Sequence, residues 1–61
     1  MSYSVAIQTA QGIENFEFNK KSYAARVYQI MCREERKHPT GVERILFKEN
    51  DKVALECKFQ N

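Results

Sequence analysis

Alternating apolar and polar residues predict a β-hairpin at the start of the chain. One face of residues 3–9 is apolar and comprises Tyr3, Val5 and Ile7. Residues 13–18 continue the alternation with Phe16 and Phe18, and Gly12 in the intervening loop can adopt a positive φ. Burying both apolar faces together predicts a register in which Tyr3 opposes Phe18 and Val5 opposes Phe16.

A change to helical periodicity predicts one helix over about residues 20–37. Its apolar positions recur at spacings of four and three, at Tyr23, Val27 and Ile30, with Ala24 and Met31 beside them. Asn19 is the predicted N-cap of a helix that begins at Lys20, and Pro39 should end the helix by about residue 37. We expect the apolar stripe to cover a sheet, with Tyr28 at the edge of this stripe.

The remaining residues predict a second hairpin, with strands over about 42–48 and 52–59. Its register depends on the loop, because Ile45, Leu46 and Phe47 are consecutive. A three-residue loop makes three pairs: Phe47 with Val53, Ile45 with Leu55, and Arg44 with Glu56. A two-residue Asn50-Asp51 loop instead places Phe47 opposite Ala54. We prefer the first register, because it gives a favourable pair of opposite charges on the outer face.

These elements predict an α+β fold of the ββαββ type within a single small domain, residues 1–61. Two β-hairpins are joined by one helix, and the helix packs on one face of an antiparallel sheet. The order of the strands between the hairpins stays open. The predicted core comprises Val5, Ile7, Phe16, Phe18, Ala24, Val27, Ile30, Met31, Ile45, Phe47, Val53, Leu55 and Cys57.

Length and composition narrow the classes of function. A chain of 61 residues with 43% hydrophobic and 30% charged residues has room for one small globular domain. Its longest apolar run is three residues, which excludes a membrane-spanning helix. The first residues lack the basic stretch and apolar core of a secretory signal, so we expect a cytoplasmic protein.

Few residues offer catalytic or metal-binding chemistry. His38 is the single histidine, Asp51 is the single aspartate, and the two cysteines, Cys32 and Cys57, are far apart in sequence. Zinc sites usually draw on close pairs of ligands, so we predict no metal and no cofactor. Without a secretory signal, the cysteines are expected to be reduced, buried thiols. We therefore predict that the protein is not an enzyme.

The positive charge is concentrated in the helix. Residues 20–38 carry six Lys or Arg against two Glu, a net charge of +4, whereas the whole chain carries +2. The candidate contacts to an anionic partner are Arg26, Gln29, Arg33, Arg36 and Lys37. A nucleic acid is therefore the alternative partner, because rows of arginine contact phosphates. A solvated helix face explains the same pattern.

The outer face of the sheet is the second candidate surface, because one helix covers only one face. Its candidate interface residues are Arg44, Leu46, Ala54 and Glu56. Covering this face would stabilise so small a domain, which makes a homodimer plausible. Lys48, Lys52 and Lys58 suggest protection of the sheet edges, and an edge that accepts a partner strand is the alternative. The leading hypothesis is a small non-catalytic regulatory protein that binds an unidentified protein through a sheet face, the helix surface or an edge strand.

Overall fold

Two antiparallel hairpins lie side by side in one sheet, and the helix that connects them packs across one face. The computed structural model describes residues 2–59. Its elements are β1 (Tyr3–Thr9), β2 (Gly12–Phe18), α1 (Lys21–Lys37), β3 (Val42–Glu49) and β4 (Lys52–Lys58). The order of the strands is β2-β1-β3-β4, and every neighbouring pair is antiparallel. The predicted ββαββ fold is confirmed, with β1 and β3 at the centre of the sheet.

The first hairpin has the predicted register. Tyr3 opposes Phe18 and Val5 opposes Phe16. The strands continue further than expected, because Thr9 pairs with Gly12 and leaves only two residues in the turn. Gly12 adopts a φ of 139°, in the region that side chains rarely tolerate. The side chain of Thr9 closes the turn by accepting a hydrogen bond from the backbone nitrogen of Gln11 at 3.2 Å.

The register of the second hairpin differs from the expected one. Its turn has two residues, Asn50 and Asp51, whose φ values are 52° and 66°. Two consecutive positive φ values match the twist of the flanking strands, and Asn and Asp tolerate them. Asn50 also connects the turn to the start of β1: its backbone nitrogen donates to the carbonyl oxygen of Ser2 at 2.9 Å.

A β-bulge at Ala54 explains why the expected pairs are wrong. Phe47 opposes Leu55, Ile45 opposes Cys57 and Arg44 opposes Lys58, and the register shifts between Phe47 and Lys48. Because of the extra residue, Leu55 and Cys57 still share the inner face with Phe47 and Ile45. The pairs Phe47–Val53, Ile45–Leu55 and Arg44–Glu56 do not form, and Val53 instead opposes Lys48.

Helix α1 begins one residue later than predicted. Lys20 occupies the N-cap position without a side-chain hydrogen bond, so the prediction of Asn19 as the N-cap is wrong. The first turn is instead connected to the sheet by an ion pair between Lys21 Nζ and Glu49 Oε1 at 3.0 Å. The helix ends at Lys37, as the following Pro39 predicts.

The helix is rotated relative to the predicted apolar stripe. Its buried residues are Ala24, Tyr28, Cys32 and Glu35. The ring of Tyr28 packs against Phe47 with centroids 6.1 Å apart, and the small side chains of Ala24 and Cys32 permit close approach to the sheet. This orientation leaves Ile30 45% exposed, so its predicted place in the core is wrong.

The core lies between the middle of α1 and the two central strands. Its buried sheet residues on the inner face are Val5, Ile45, Phe47 and Cys57. Four residues predicted for the core pack against its margin: Ile7, Phe18, Val27 and Met31. Phe16, Val53 and Leu55 were also predicted for the core but are exposed, because they lie on the outermost strands or, for Val53, face away from the helix.

A buried carboxylate organises the connection from α1 to β3. Glu35 is only 6% exposed, although it is a charged residue near the end of the helix. Its Oε2 accepts from the backbone nitrogens of Thr40 at 2.7 Å and Val42 at 3.3 Å, and its Oε1 accepts from the Thr40 hydroxyl at 2.7 Å. Burial raises the pKa of Glu35, but these hydrogen bonds and one from the Gly41 backbone outweigh that effect, so the net pKa is lowered.

Candidate functional site

Only some residues of the predicted basic row of α1 lie together on one surface. Arg26, Gln29 and Arg33 line a shallow groove on the solvent side of the helix. Among residues 2–59, neither Arg26 nor Arg33 has an ion-pair or hydrogen-bond partner for its side chain. Lys37 is exposed at the end of the helix. Arg36 lies apart from the row, because its Nη2 donates to Sγ of Cys57 at 3.1 Å.

Two of the four predicted residues of the outer sheet face, Arg44 and Glu56, form a polar network with Gln8. Arg44 donates through Nε to Oε1 of Gln8 and through Nη1 to Oε2 of Glu56, the latter at 3.0 Å. Leu46 opposes Glu56 and is half-buried. Ala54 is separate from this group, at the bulge of β4. The polar side chains at the centre of the outer face are therefore bonded to one another.

The two cysteines meet between α1 and β4. Both are free thiols and both are buried, as expected. Burial raises the pKa of Cys32 to about 11, and its hydrogen bond with Cys57 adds to this rise. Burial likewise raises the pKa of Tyr28 to about 12. Because the nucleophilic form of cysteine is the thiolate, the raised pKa of Cys32 favours an unreactive thiol at this position at neutral pH.

A surface that the sequence analysis did not assign lies between α1 and β2; we call it the α1–β2 flank. It exposes three large apolar side chains: Phe16 at 39%, Tyr23 at 63% and Ile30 at 45%. Tyr23 and Ile30 share a helical stripe with Glu34. The side chain of Glu34 lies beside Ile7 of β1, in the lining of one cleft. The opposite side of the helix faces Cys57 of β4, so this stripe lies on the side of α1 nearer to β2, where Ile30 also borders the groove lined by Arg26 and Arg33.

An open, mainly apolar cleft extends the α1–β2 flank toward the end of the helix. Its apolar lining comprises Ile7, Met31, Val42 and Ile45, and its polar rim comprises Glu34, Glu35, His38 and Thr40. A second shallow cavity on the other side of Ile7 is lined by residues of the first hairpin turn, including Gly12 and Glu14.

The two edge strands differ in their protection against pairing. β4 carries the bulge at Ala54 and the lysines Lys52 and Lys58, which are common protective features of sheet edges. β2 pairs regularly with β1 from Gly12 to Phe18 and contains neither a bulge nor a lysine. Lys48 lies on the central strand β3, so its expected role in edge protection is wrong.

The free side of β2 is available for hydrogen bonding. Beyond its ladder with β1, no backbone hydrogen bond connects β2 with another part of residues 2–59.

The α1–β2 flank could have been found from the sequence only by choosing Ala24, Tyr28 and Cys32, spaced by four, as the buried stripe. That choice was less apparent than the more apolar stripe of Tyr23, Val27 and Ile30.

No arrangement for metal binding was found within the described part of the chain, where three or more His, Cys, Asp or Glu side chains would have to converge. Over the same residues, 2–59, the helix is too short and too polar to cross a membrane. No protein-family model, curated protein or solved structure matches the chain.

Proposed function

We propose that the protein is a small, non-catalytic interaction protein that binds a partner protein at the β2 edge and the α1–β2 flank. One observation carries this proposal: the edge strand β2 is regular, has neither a bulge nor a lysine and exposes Phe16, while Tyr23 and Ile30 are exposed on the side of α1 nearer to it. Partner strands add to such edges through main-chain hydrogen bonds, and neighbouring apolar side chains supply additional contact area.

The contrast with the other surfaces supports this choice. The outer sheet face engages its own polar groups through Arg44, and β4 carries two lysines and a bulge. Only the β2 side combines free backbone groups with exposed aromatic surface within residues 2–59. The two adjacent free thiols are typical of a reducing compartment, which supports a cytoplasmic location within the same proposal.

Site-specific photo-crosslinking tests the proposal directly. A photoreactive amino acid is introduced at Asn15, in the middle of β2, or at Ala54, in the bulge of β4 as the matched control. Each variant is illuminated in a lysate of the native source cells. We expect a discrete adduct from the Asn15 position and none from Ala54. Absence of an adduct at Asn15, or equal labelling at both edges, contradicts binding at β2.

Nucleic-acid binding is the second candidate, favoured by the unpaired side chains of Arg26 and Arg33. Their guanidinium groups lie on the solvent side of α1 without a counter-ion in residues 2–59. An electrophoretic shift with DNA and RNA at two salt concentrations tests it, because phosphate contacts weaken steeply with salt. Binding that ignores salt, or that persists unchanged in the Arg26→Ala/Arg33→Ala variant, excludes this candidate.

A further inference from the structure

The β2 edge of the α1–β2 flank is acidic, although the chain as a whole carries a charge of +2 and Arg26 and Arg33 lie near Ile30 on the helix. Glu14, Glu17 and Glu34 are exposed, and their carboxylates have no ion-pair or hydrogen-bond partner among the described residues. Glu14 opposes Ile7 on the inner face of β2, and Glu34 lies beside Ile7 on the helix. Glu17 lies on the outer face of the same strand.

The positions of these groups along β2 define what a neighbouring strand must carry. Successive side chains of a strand point to opposite faces, so Glu14 and Phe16 share the inner face while Glu17 lies on the outer face. An added strand therefore meets a carboxylate, then an aromatic ring two residues further along, and then a carboxylate on the other face. Tyr23 and Ile30 are exposed on the neighbouring side of α1.

We infer that the β2 edge binds an extended, basic segment of a partner protein, added antiparallel to β2 as a further strand of the sheet. The segment has the order basic, apolar, any residue, basic. These residues face Glu17, Phe16, Asn15 and Glu14, respectively. The inference rests on the proposed function and adds to it the chemistry of the partner.

Antiparallel addition follows from the rest of the sheet and from backbone geometry. Every strand pair in residues 2–59 is antiparallel. Antiparallel ladders are also slightly more stable per residue than parallel ones. The direction of addition determines the order in which the basic and apolar residues occur in the partner segment.

Charge also argues against a second copy of this chain as the occupant. A two-fold axis beside β2 would bring three carboxylates from each copy into one interface, without an unpaired lysine or arginine on β2 to compensate. Like charges across an interface cost several kcal/mol and suppress the wrong partner. A lysine- or arginine-containing strand converts the same carboxylates into favourable cross-strand pairs.

A synthetic peptide provides the probe. It contains the order lysine, leucine, threonine, lysine, flanked by threonine and valine, and carries a fluorophore for anisotropy measurements. We expect saturable binding to the wild-type protein that weakens as salt is raised. The Glu14→Gln/Glu17→Gln variant should bind at least about tenfold more weakly. The Lys52→Glu/Lys58→Glu variant at the other edge should bind within about twofold of the wild type.

Three control peptides separate strand addition from simple charge attraction. Alternate N-methylation of the peptide backbone removes its donors and should abolish binding. Exchanging leucine and threonine directs the apolar side chain to the outer face and should weaken binding. Replacing the lysines with glutamates should abolish it. Equal binding of any control peptide overturns the inference, as does equal loss in both protein variants when circular dichroism shows that both are folded.

The proposed function and this inference can fail separately. An adduct at Asn15 with a protein that lacks a basic extended segment overturns the inference and leaves binding at β2 intact. Self-association of the wild-type protein through β2, seen by light scattering and lost on Asn15→Pro substitution, assigns a second copy to the edge and likewise overturns the inference. Peptide binding without any adduct at Asn15 supports the edge chemistry while contradicting a cellular partner.

Discussion

Glu35 holds Thr40 through two hydrogen bonds of 2.7 Å, one from the backbone nitrogen to Oε2 and one from the hydroxyl to Oε1. A helix residue thereby determines where the following strand begins, because Oε2 also accepts from the backbone nitrogen of Val42 at 3.3 Å. Few side chains in so small a protein can satisfy several backbone groups at once. The position of β3 against α1 therefore depends strongly on one carboxylate.

Replacing that carboxylate should destabilise the fold measurably. Glu35→Ala leaves the backbone nitrogens of Thr40 and Val42 without an acceptor, and we expect a loss of about 1–3 kcal/mol in the free energy of unfolding. Glu34→Ala is the matched control, since this neighbour is exposed and its carboxylate is unpaired within residues 2–59. Urea denaturation of both variants measures the difference. Similar losses for both would contradict the role assigned to Glu35.

The same carboxylate should make stability depend on acid pH. The pKa of Glu35 is lowered from its ordinary value of 4.5, so the folded state binds a proton less readily than the unfolded state. Its contribution is complete above about pH 4.5 and is lost as the pH falls through the lower pKa of the folded state. We expect Glu35→Gln to flatten the stability profile below pH 4.5, measured by urea denaturation between pH 7 and pH 2.

The turn of the second hairpin should prefer glycine at its second residue. Asp51 has a φ of 66°, a conformation that costs glycine little and alanine more. We expect Asp51→Gly to raise the free energy of unfolding by about 0.5–1 kcal/mol and Asp51→Ala to lower it by a similar amount. Thermal unfolding of the three proteins tests the order. An alanine variant as stable as the glycine variant would exclude the positive φ.

Cys32 should resist alkylation at neutral pH. Burial and the neighbouring Cys57 raise its pKa to about 11, so little thiolate is present near pH 7. We expect iodoacetamide to modify the native protein much more slowly than the protein in urea, with a rate that climbs steadily toward pH 11. Mass spectrometry of the digested protein assigns the label to each cysteine. Rapid labelling of native Cys32 at pH 7 would refute the raised pKa.

The ion pair on the outer sheet face should make a small, measurable contribution to stability. Arg44 bonds to Glu56 at 3.0 Å although it lies directly opposite Lys58. A double-mutant cycle between Arg44→Ala and Glu56→Ala should give a favourable coupling of about 0.2–1 kcal/mol. The corresponding cycle with Lys58→Ala should give a coupling near zero or of opposite sign, since two cations face each other. A coupling between Arg44 and Glu56 that is zero or unfavourable would contradict the ion pair on the outer face.

The periodicity of the chain was sufficient for the overall fold and the first hairpin. The register of the second hairpin could not be predicted correctly, because it depends on a bulge at Ala54. The alternation of apolar and polar residues looks the same before and after an inserted residue. The type of turn contained a usable signal, since Asn50-Asp51 suits two positive φ values.

The buried side of the helix was predicted only in part. Hydrophobicity alone favours Ile30 over Cys32, but packing against the sheet depends on shape, and the Tyr28–Phe47 contact determines the rotation. The sequence predicted which charged residues the helix carries, but not which groups they bond to. Arg36 and Glu35 look like ordinary surface charges in sequence, yet one bonds to Cys57 and the other supports the loop before β3.

The unequal edges of the sheet limit how far assembly can proceed. A filament built by edge-to-edge pairing of sheets grows only if each molecule has two compatible edges. One edge pairs with the preceding molecule and the other with the next. Here the bulge at Ala54 interrupts the pairing pattern of β4, while β2 is regular. A strand added at β2 would therefore leave β4 as the other edge of the sheet, where the bulge disfavours a second addition and should limit continued edge-to-edge growth.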